Sequence, residues 1–222
     1  MTTGEIKRFL KRCLHSTPYV KIKRKNYIKK IRSHYDYGME TPSILCSTCI
    51  GGMIYKNLGL RFMSPTINLW CTAEDFSKIA EDPQKYFEHD IEFIHNDAQY
   101  DYPHPVGRID DIVIYFTHYK TEEEAAAKWR ERGKRFDYDN VYIITDDKGL
   151  SDEGRQRLIN SKHKRLVIFS AGGNTDEYSF VYKCYENGKL GRYSVRGTGG
   201  FAAFEKEFDY AAWLSGKNEI RI

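Results

Sequence analysis

A chain of 222 residues, 41% apolar and 14% aromatic, has the size and composition of a packed globular protein. Charged residues make up 30% of it, and the mean hydropathy is -0.64. No apolar run approaches the roughly 18 residues that a spanning helix needs, which argues against a membrane span. The net charge of +4 hides an asymmetry: residues 1–35 hold 11 Lys and Arg against one acid, Glu5, while the remainder is acid-rich.

In chain order, Ile6, Phe9, Leu10 and Leu14 fall at helical spacing among Lys7, Arg8, Lys11 and Arg12, which predicts a short amphipathic helix. Charges scattered through this start argue against a secretory signal, so the expected location is cytoplasmic, with peripheral attachment at the inner membrane compatible with the basic arm. Pro18 is expected to interrupt the helix, with a weaker stripe at Ile22, Ile28 and Ile31 following. Residues 1–40 thus read as a basic helical arm and 41–222 as a single α/β domain.

Beyond Thr41-Pro42, Ser43–Ser47 (SILCS) reads as a buried strand, 53–60 as a short helix and Thr66–Trp70 (TINLW) as a second strand. Residues 74–80 and 83–89 read as helices, the latter with Asp82 as N-cap and Pro83 at its first position. The apolar run IVIYF at 112–116 is the strongest strand. TEEEAAAKWRER at 121–132 is the strongest helix, with Thr121 and Glu124 at capping-box spacing. A strand at 141–145, a helix at 151–161 and a strand at 166–170 follow. Continuous apolar strands separated by helices predict a mostly parallel sheet with helices on both faces, a Rossmann-like variant. The tail predicts a C-terminal β-hairpin, 180–185 and 192–195 around Asn187-Gly188, and a last helix around 204–214.

In such sheets ligands bind outside the carboxyl ends of the strands, near a topological switch point. That edge collects Thr48–Gly52, 117–120, 146–149 and 171–174. Gly51-Gly52 opening a helix would let backbone N–H groups approach an anion, or would serve a tight turn. Neither GxGxxG nor the Walker lysine is present, and there is no G-x-S-x-G elbow. Cys46 and Cys49 form a C-x-x-C pair, but five cysteines without a second pair argue against a zinc site or a disulfide framework. His118, just past the strongest strand, is placed as a general base or an orienting group. Asp146, with Asp147, stands at a strand end where it could serve catalysis, a metal or a turn. Asp110-Asp111 precedes its strand.

The segments CSTCIGGMIYKNLGLRFMSPTINLW, YPHPVGRIDDIVIYFTHYKTEEEAAAKW and DNVYIITDD resemble the bacterial DUF1919 family, often labelled exopolysaccharide biosynthesis protein. Thr48 stands where Asn is expected in S-N-N-C-like versions, and Ile50 where Trp is frequent. The resemblance implies an α/β fold and a setting in capsule or exopolysaccharide assembly, without a settled reaction or cofactor. By motif position it marks Gly51, Gly52, Tyr55, Ser64, Pro65, Thr66, Asn68, Asp110, Asp111, His118 and Tyr119. The resulting expectation is a glycosyl or acyl transferase acting on a nucleotide- or lipid-linked sugar. In it His118 and Asp146 are catalytic, and Thr48, Gly51, Gly52, Tyr55, Ser64, Thr66, Asn68 and Tyr119 bind substrate. The alternative is a non-catalytic accessory protein that docks polysaccharide enzymes at the inner membrane, its residues 1–35 meeting an anionic surface. A nucleic-acid partner is disfavoured, because no recognition motif accompanies the basic arm.

Overall fold

The computed structural model describes residues 17–95, 97–163, 165–172, 176–182, 185–186, 189–190 and 200–222. The expected helix at 6–14 and the expected arm at 192–195 lie outside them. The chain divides into two compact units. One holds Thr41–Lys56 and Leu60–Val181; the other holds the residues up to Glu40, Asn57–Gly59 and those from Tyr182 onward. The tail after Val181, expected within a 41–222 domain, therefore belongs with the basic helix instead.

In the larger unit, four strands form a wholly parallel sheet: β1 (Ser43–Cys46), β5 (Val141–Asp146), β6 (Arg165–Ser170) and β7 (Ser179–Val181), adjacent in that order. Both faces of the central strands are buried, as their near-continuous apolar runs require. The order never reverses, so among the described residues this sheet has no topological switch point of the kind expected. Four helices of this unit share its core with the sheet: α3 (Ala73–Glu81), α4 (Pro83–Phe87), α5 (Glu122–Gly133) and α6 (Asp152–Asn160). Each starts on a side-chain cap, from Thr72, Asp82, Thr121 and Ser151 respectively.

Two expectations are corrected here. The run 112–116 is a strand, β4 (Ile112–Tyr115), but it pairs antiparallel with β3 (Val106–Ile109), which pairs with β2 (Glu92–Phe93) in a separate three-stranded sheet. Asp110-Asp111 is the two-residue turn of that hairpin, with Asp110 at φ 52, as such turns demand. Thr66–Trp70 is not a strand: Asn68 at φ 65 breaks the extended run, and only Trp70 bridges to Tyr115.

Without a neighbouring strand on its outer side, β1 still leaves no backbone donor idle. Ile44 N donates to the Tyr55 hydroxyl at 2.8 Å, and Cys46 N donates to Thr66 Oγ1 at 3.1 Å. Side chains thus stand in for a missing strand and blunt the edge.

The second unit contains α1 (Pro18–Ser33), begun by Thr17 as N-cap with Pro18 at its first position, so Pro18 starts this helix. It also holds a short hairpin of β8 (Tyr185–Glu186) and β9 (Lys189–Leu190), placed as the Asn187-Gly188 signal predicts but shorter. The expected final helix is two, α7 (Phe204–Glu207) and α8 (Tyr210–Leu214), separated by Phe208 in extended conformation. Arg24, Asn57, Glu205 and Tyr210 form a buried polar network at its centre.

Candidate functional site

Because every strand of the sheet is parallel, the segments following β1, β5 and β6 lie on one rim. Pairing continues past β1, with Ser47 N donating to Ile144 O at 3.3 Å and Ser47 Oγ lying 2.9 Å from Thr145 Oγ1. These two hydroxyls are buried and join the strand ends at the floor of the rim.

The helix after β1, α2 (Ile50–Leu58), begins at Cys49, whose carbonyl accepts the first helical bond from Met53 N. Thr48 Oγ1 accepts from Ile50 N at 3.4 Å and lies 3.5 Å from Cys46 Sγ. Gly51 and Gly52 are required by packing. A Cβ on Gly51 would meet Ile67 Cδ1 at 2.8 Å and Cys46 Cβ at 2.9 Å; one on Gly52 would meet Asn68 Oδ1 at 2.8 Å. The two glycines let the helix start press against the side chains of Cys46, Ile67 and Asn68, which gives their presence a steric reason.

The decisive arrangement is between residues 69 apart in sequence. Cys49 Sγ lies 3.5 Å from His118 Nε2, with both side chains exposed on the rim. His118 reaches this point although β4 is not in the parallel sheet, because the chain turns tightly after that strand: Thr117 N donates to Tyr115 O and Tyr119 N to Phe116 O, both at 2.9 Å. Phe116 and Tyr119 are buried on either side and pin the turn. Surrounding protein lifts the Cys49 thiol above its ordinary pKa by desolvation. The sulfur is therefore mostly a thiol at neutral pH and needs a proton acceptor to become nucleophilic, and the imidazole is in place for that. Among the described residues no further group bonds His118 Nδ1, so the pair lacks the third member of a triad.

Cys46 differs from Cys49. It is fully buried in β1, and burial pushes its thiol up to about 11. A redox C-x-x-C pair is not built here, since its strand cysteine is inaccessible and inert.

The remaining expected site residues divide by exposure. Asn68 is half-buried on the rim above Gly52. Asp146 ends β5 on the same edge, where its Oδ1 accepts from Lys148 N at 3.0 Å and shapes the turn. Tyr55, Ser64, Thr66 and Tyr119, expected to contact substrate, are all buried with hydroxyls engaged inside the protein. Tyr55 donates to Pro42 O at 2.7 Å, Ser64 Oγ and Thr66 Oγ1 lie 3.0 Å apart, and Tyr119 donates to Ile67 O at 3.1 Å. Among the described residues no three His, Cys, Asp or Glu side chains are grouped to hold a metal ion. No helix among them is long and apolar enough to cross a membrane.

Residues 19–215 match the model of a family described as a domain of unknown function, DUF1919. The chain belongs to this family. A protein of Haemophilus influenzae described as "Uncharacterized protein" is 31% identical over 129 residues, covering 58% of this chain and 61% of that relative. The DUF1919 match takes in every rim residue described above. The Cys49–His118 approach involves a residue that sequence reasoning placed only in a C-x-x-C pair: nothing local marks Cys49 as a partner of His118. Arg132, buried in α5 and bonded to Ile67 O at 2.8 Å, was equally hidden, since its spacing matches any solvated helix cation.

Proposed function

We propose that the protein is a transferase of bacterial capsule or exopolysaccharide assembly, acting on a nucleotide- or lipid-linked sugar at the rim formed by Cys49, Asn68 and His118. The observation that carries this reading is the 3.5 Å approach of Cys49 Sγ to His118 Nε2. Of glycosyl and acyl transfer, the pair favours acyl transfer, because the base is aimed at a thiol. His118 Nε2 takes the thiol proton while sulfur forms a bond to the carbonyl carbon of an activated acyl donor. The bond to the donor's leaving group breaks, and His118 returns the proton to that group. A sugar hydroxyl then attacks the thioester, giving its proton to His118 as the C–O bond forms. The C–S bond breaks, and the departing thiolate recovers the proton. Gly52 N–H, in the first turn of α2 and without an intrahelical acceptor, can stabilise the oxyanion.

Intact-protein mass spectrometry after incubation with acyl-thioester donors tests this. An adduct at Cys49, absent in Cys49→Ser and slowed about 10²–10⁴-fold in His118→Ala, is expected. An unmodified Cys49 across donor classes, with polysaccharide production intact in a His118→Ala strain, overturns it.

A second reading, docking on an anionic leaflet, draws support from α1, where Lys21, Lys23, Lys25 and Lys29 are exposed and no acid interrupts them. Each cation near such a surface contributes about 1 kcal/mol. Sedimentation with anionic vesicles, lost when these four lysines become Gln, is the expected result; equal recovery on neutral vesicles rejects it.

A further inference from the structure

On the same unit, an aromatic floor runs outward from the Trp70–Tyr115 bridge. Trp70 packs on Tyr115 at 4.7 Å, and Tyr115 meets Tyr102 edge-on at 5.3 Å. Tyr102 in turn stacks with His104 at 5.3 Å and an interplanar angle of 17°. Trp70 is 46% and Tyr102 48% exposed. Exposed aromatic side chains that adjoin one another in this way form a contiguous patch of the kind that marks a ligand surface.

Tyr102 and His104 also line a cavity of about 670 Å³ that lies between the 94–106 segment and the start of α5. Its other walls carry Asp97, Asp101, Glu122 and Glu123, with Lys120 as the one lysine in the lining. Some of these carboxylates are tied, Asp97 to Gln99 N and Glu122 to His95. No partner of the Asp101 carboxylate is found among the described residues.

We infer that this surface is a binding site for a neutral saccharide, with the exposed rings of Trp70 and Tyr102 each taking the face of one sugar of the chain and the Asp101 carboxylate taking hydroxyl hydrogens. A pyranose presents C–H groups on its faces and O–H groups around its edge. The electron-rich faces of Trp and Tyr attract the first. Carboxylate oxygens are acceptors without competing donors and suit the second. The excess of carboxylates over Lys120 works against phosphates and uronic acids, so the site selects an uncharged sugar chain rather than a nucleotide. Its role as the acceptor side of the reaction rests on the transferase reading above, since Thr117 and His118 directly follow the strand that carries Tyr115. The binding site itself does not rest on that reading.

The test is titration of the full-length protein with neutral trisaccharides of glucose, galactose and N-acetylglucosamine, followed by tryptophan fluorescence and saturation-transfer NMR. Alongside run a trisaccharide of glucuronic acid and UDP. Saturable binding of at least one neutral probe is expected, weakened about tenfold or more in Trp70→Ala and separately in Tyr102→Ala. Trp70 enters the fold through its backbone bridge, so Trp70→Ala keeps native circular dichroism, and Tyr102→Ala provides an independent reading. No saturation by any neutral probe, tighter binding of UDP or the acidic probe, or affinity indifferent to both aromatic substitutions overturns the inference. Sugar binding that survives while no Cys49 adduct forms removes the proposed reaction and leaves this site standing.

Discussion

Arg132 Nη1 donates to the Tyr119 hydroxyl at 2.7 Å, and both residues donate to the carbonyl of Ile67. This clamp holds the irregular segment that carries Asn68 and Trp70, which has little ladder of its own. The guanidinium is buried, and it stacks over Phe62 at 5.2 Å from the ring centre. Arg132→Met is expected to destabilise the protein by about 1–3 kcal/mol and Tyr119→Phe by about 1 kcal/mol. Because they share one acceptor, the double variant should cost less than the two losses combined. Urea unfolding of the three variants measures this; strict additivity would dissociate the clamp.

The two glycines of the rim should respond differently to alanine. At Gly51 the methyl meets Cys46 Cβ at 2.9 Å, an atom fixed in β1 that cannot swing away. At Gly52 its closest neighbour is Asn68 Oδ1, the end of a half-buried side chain. Gly51→Ala is therefore expected to lose about 1–3 kcal/mol of stability. Gly52→Ala should lose less, yet displace the Asn68 side chain. Thermal melts separate the two, and Gly52→Ala/Asn68→Ala should recover the stability of wild type more nearly than Gly52→Ala alone.

What could be read from the sequence was mostly what neighbours in the chain decide. Thr121 caps α5 through Glu124 N, and Asp82 caps α4 through Lys85 N, as their spacing predicts. The choice of sheet was not local. IVIYF was read as a strand buried on both faces, but its burial alternates, and its partner is set by the turn at Asp110-Asp111. A short apolar run fits either kind of strand, and only its partners decide between them. TINLW carries strand-like residues, but its donors and acceptors are met by side chains and by one bridge to Tyr115. The rim was visible as a set of loops, whereas the Cys49–His118 approach depends on how two sheets are placed and leaves no local trace.

The hairpin turn itself supplies a pH dependence. Lys78 Nζ bonds Asp111 Oδ2 at 2.8 Å and the Tyr86 hydroxyl donates to Oδ1 at 2.9 Å. These hold the Asp111 carboxyl down to about 2, with the Lys78 bond the largest cause. A carboxylate held low in the fold and ordinary, about 3.9, when unfolded stabilises the fold above that ordinary value. The contribution is lost as pH falls from about 4 through about 2. The pair is half-exposed, so its worth is about 0.5–1 kcal/mol. Lys78→Met should lower the urea midpoint at pH 7 and converge on wild type near pH 2; a gap that persists at pH 2 would assign the effect to packing.

Thiol accessibility gives the most direct view of the rim. Cys49 is exposed, whereas Cys46 and Cys71 are buried and held above the ordinary thiol range by desolvation. Brief iodoacetamide treatment followed by peptide mapping should therefore label Cys49 and spare the other two until urea unfolds the chain. Since desolvation by the surrounding protein also raises the Cys49 value, its thiolate is scarce at pH 7 and its labelling rate should climb mainly above the ordinary thiol value of about 8.5. An imidazole 3.5 Å away offers the proton another place to go, so part of the rate near pH 7 should depend on His118. In His118→Ala that part disappears, and the profile becomes a single rise at high pH. A rate near pH 7 that is the same in both proteins would mean that the contact does not activate the sulfur. A rate that falls in His118→Ala only near neutral pH, with the high-pH limb unchanged, separates proton acceptance from a mere change in access.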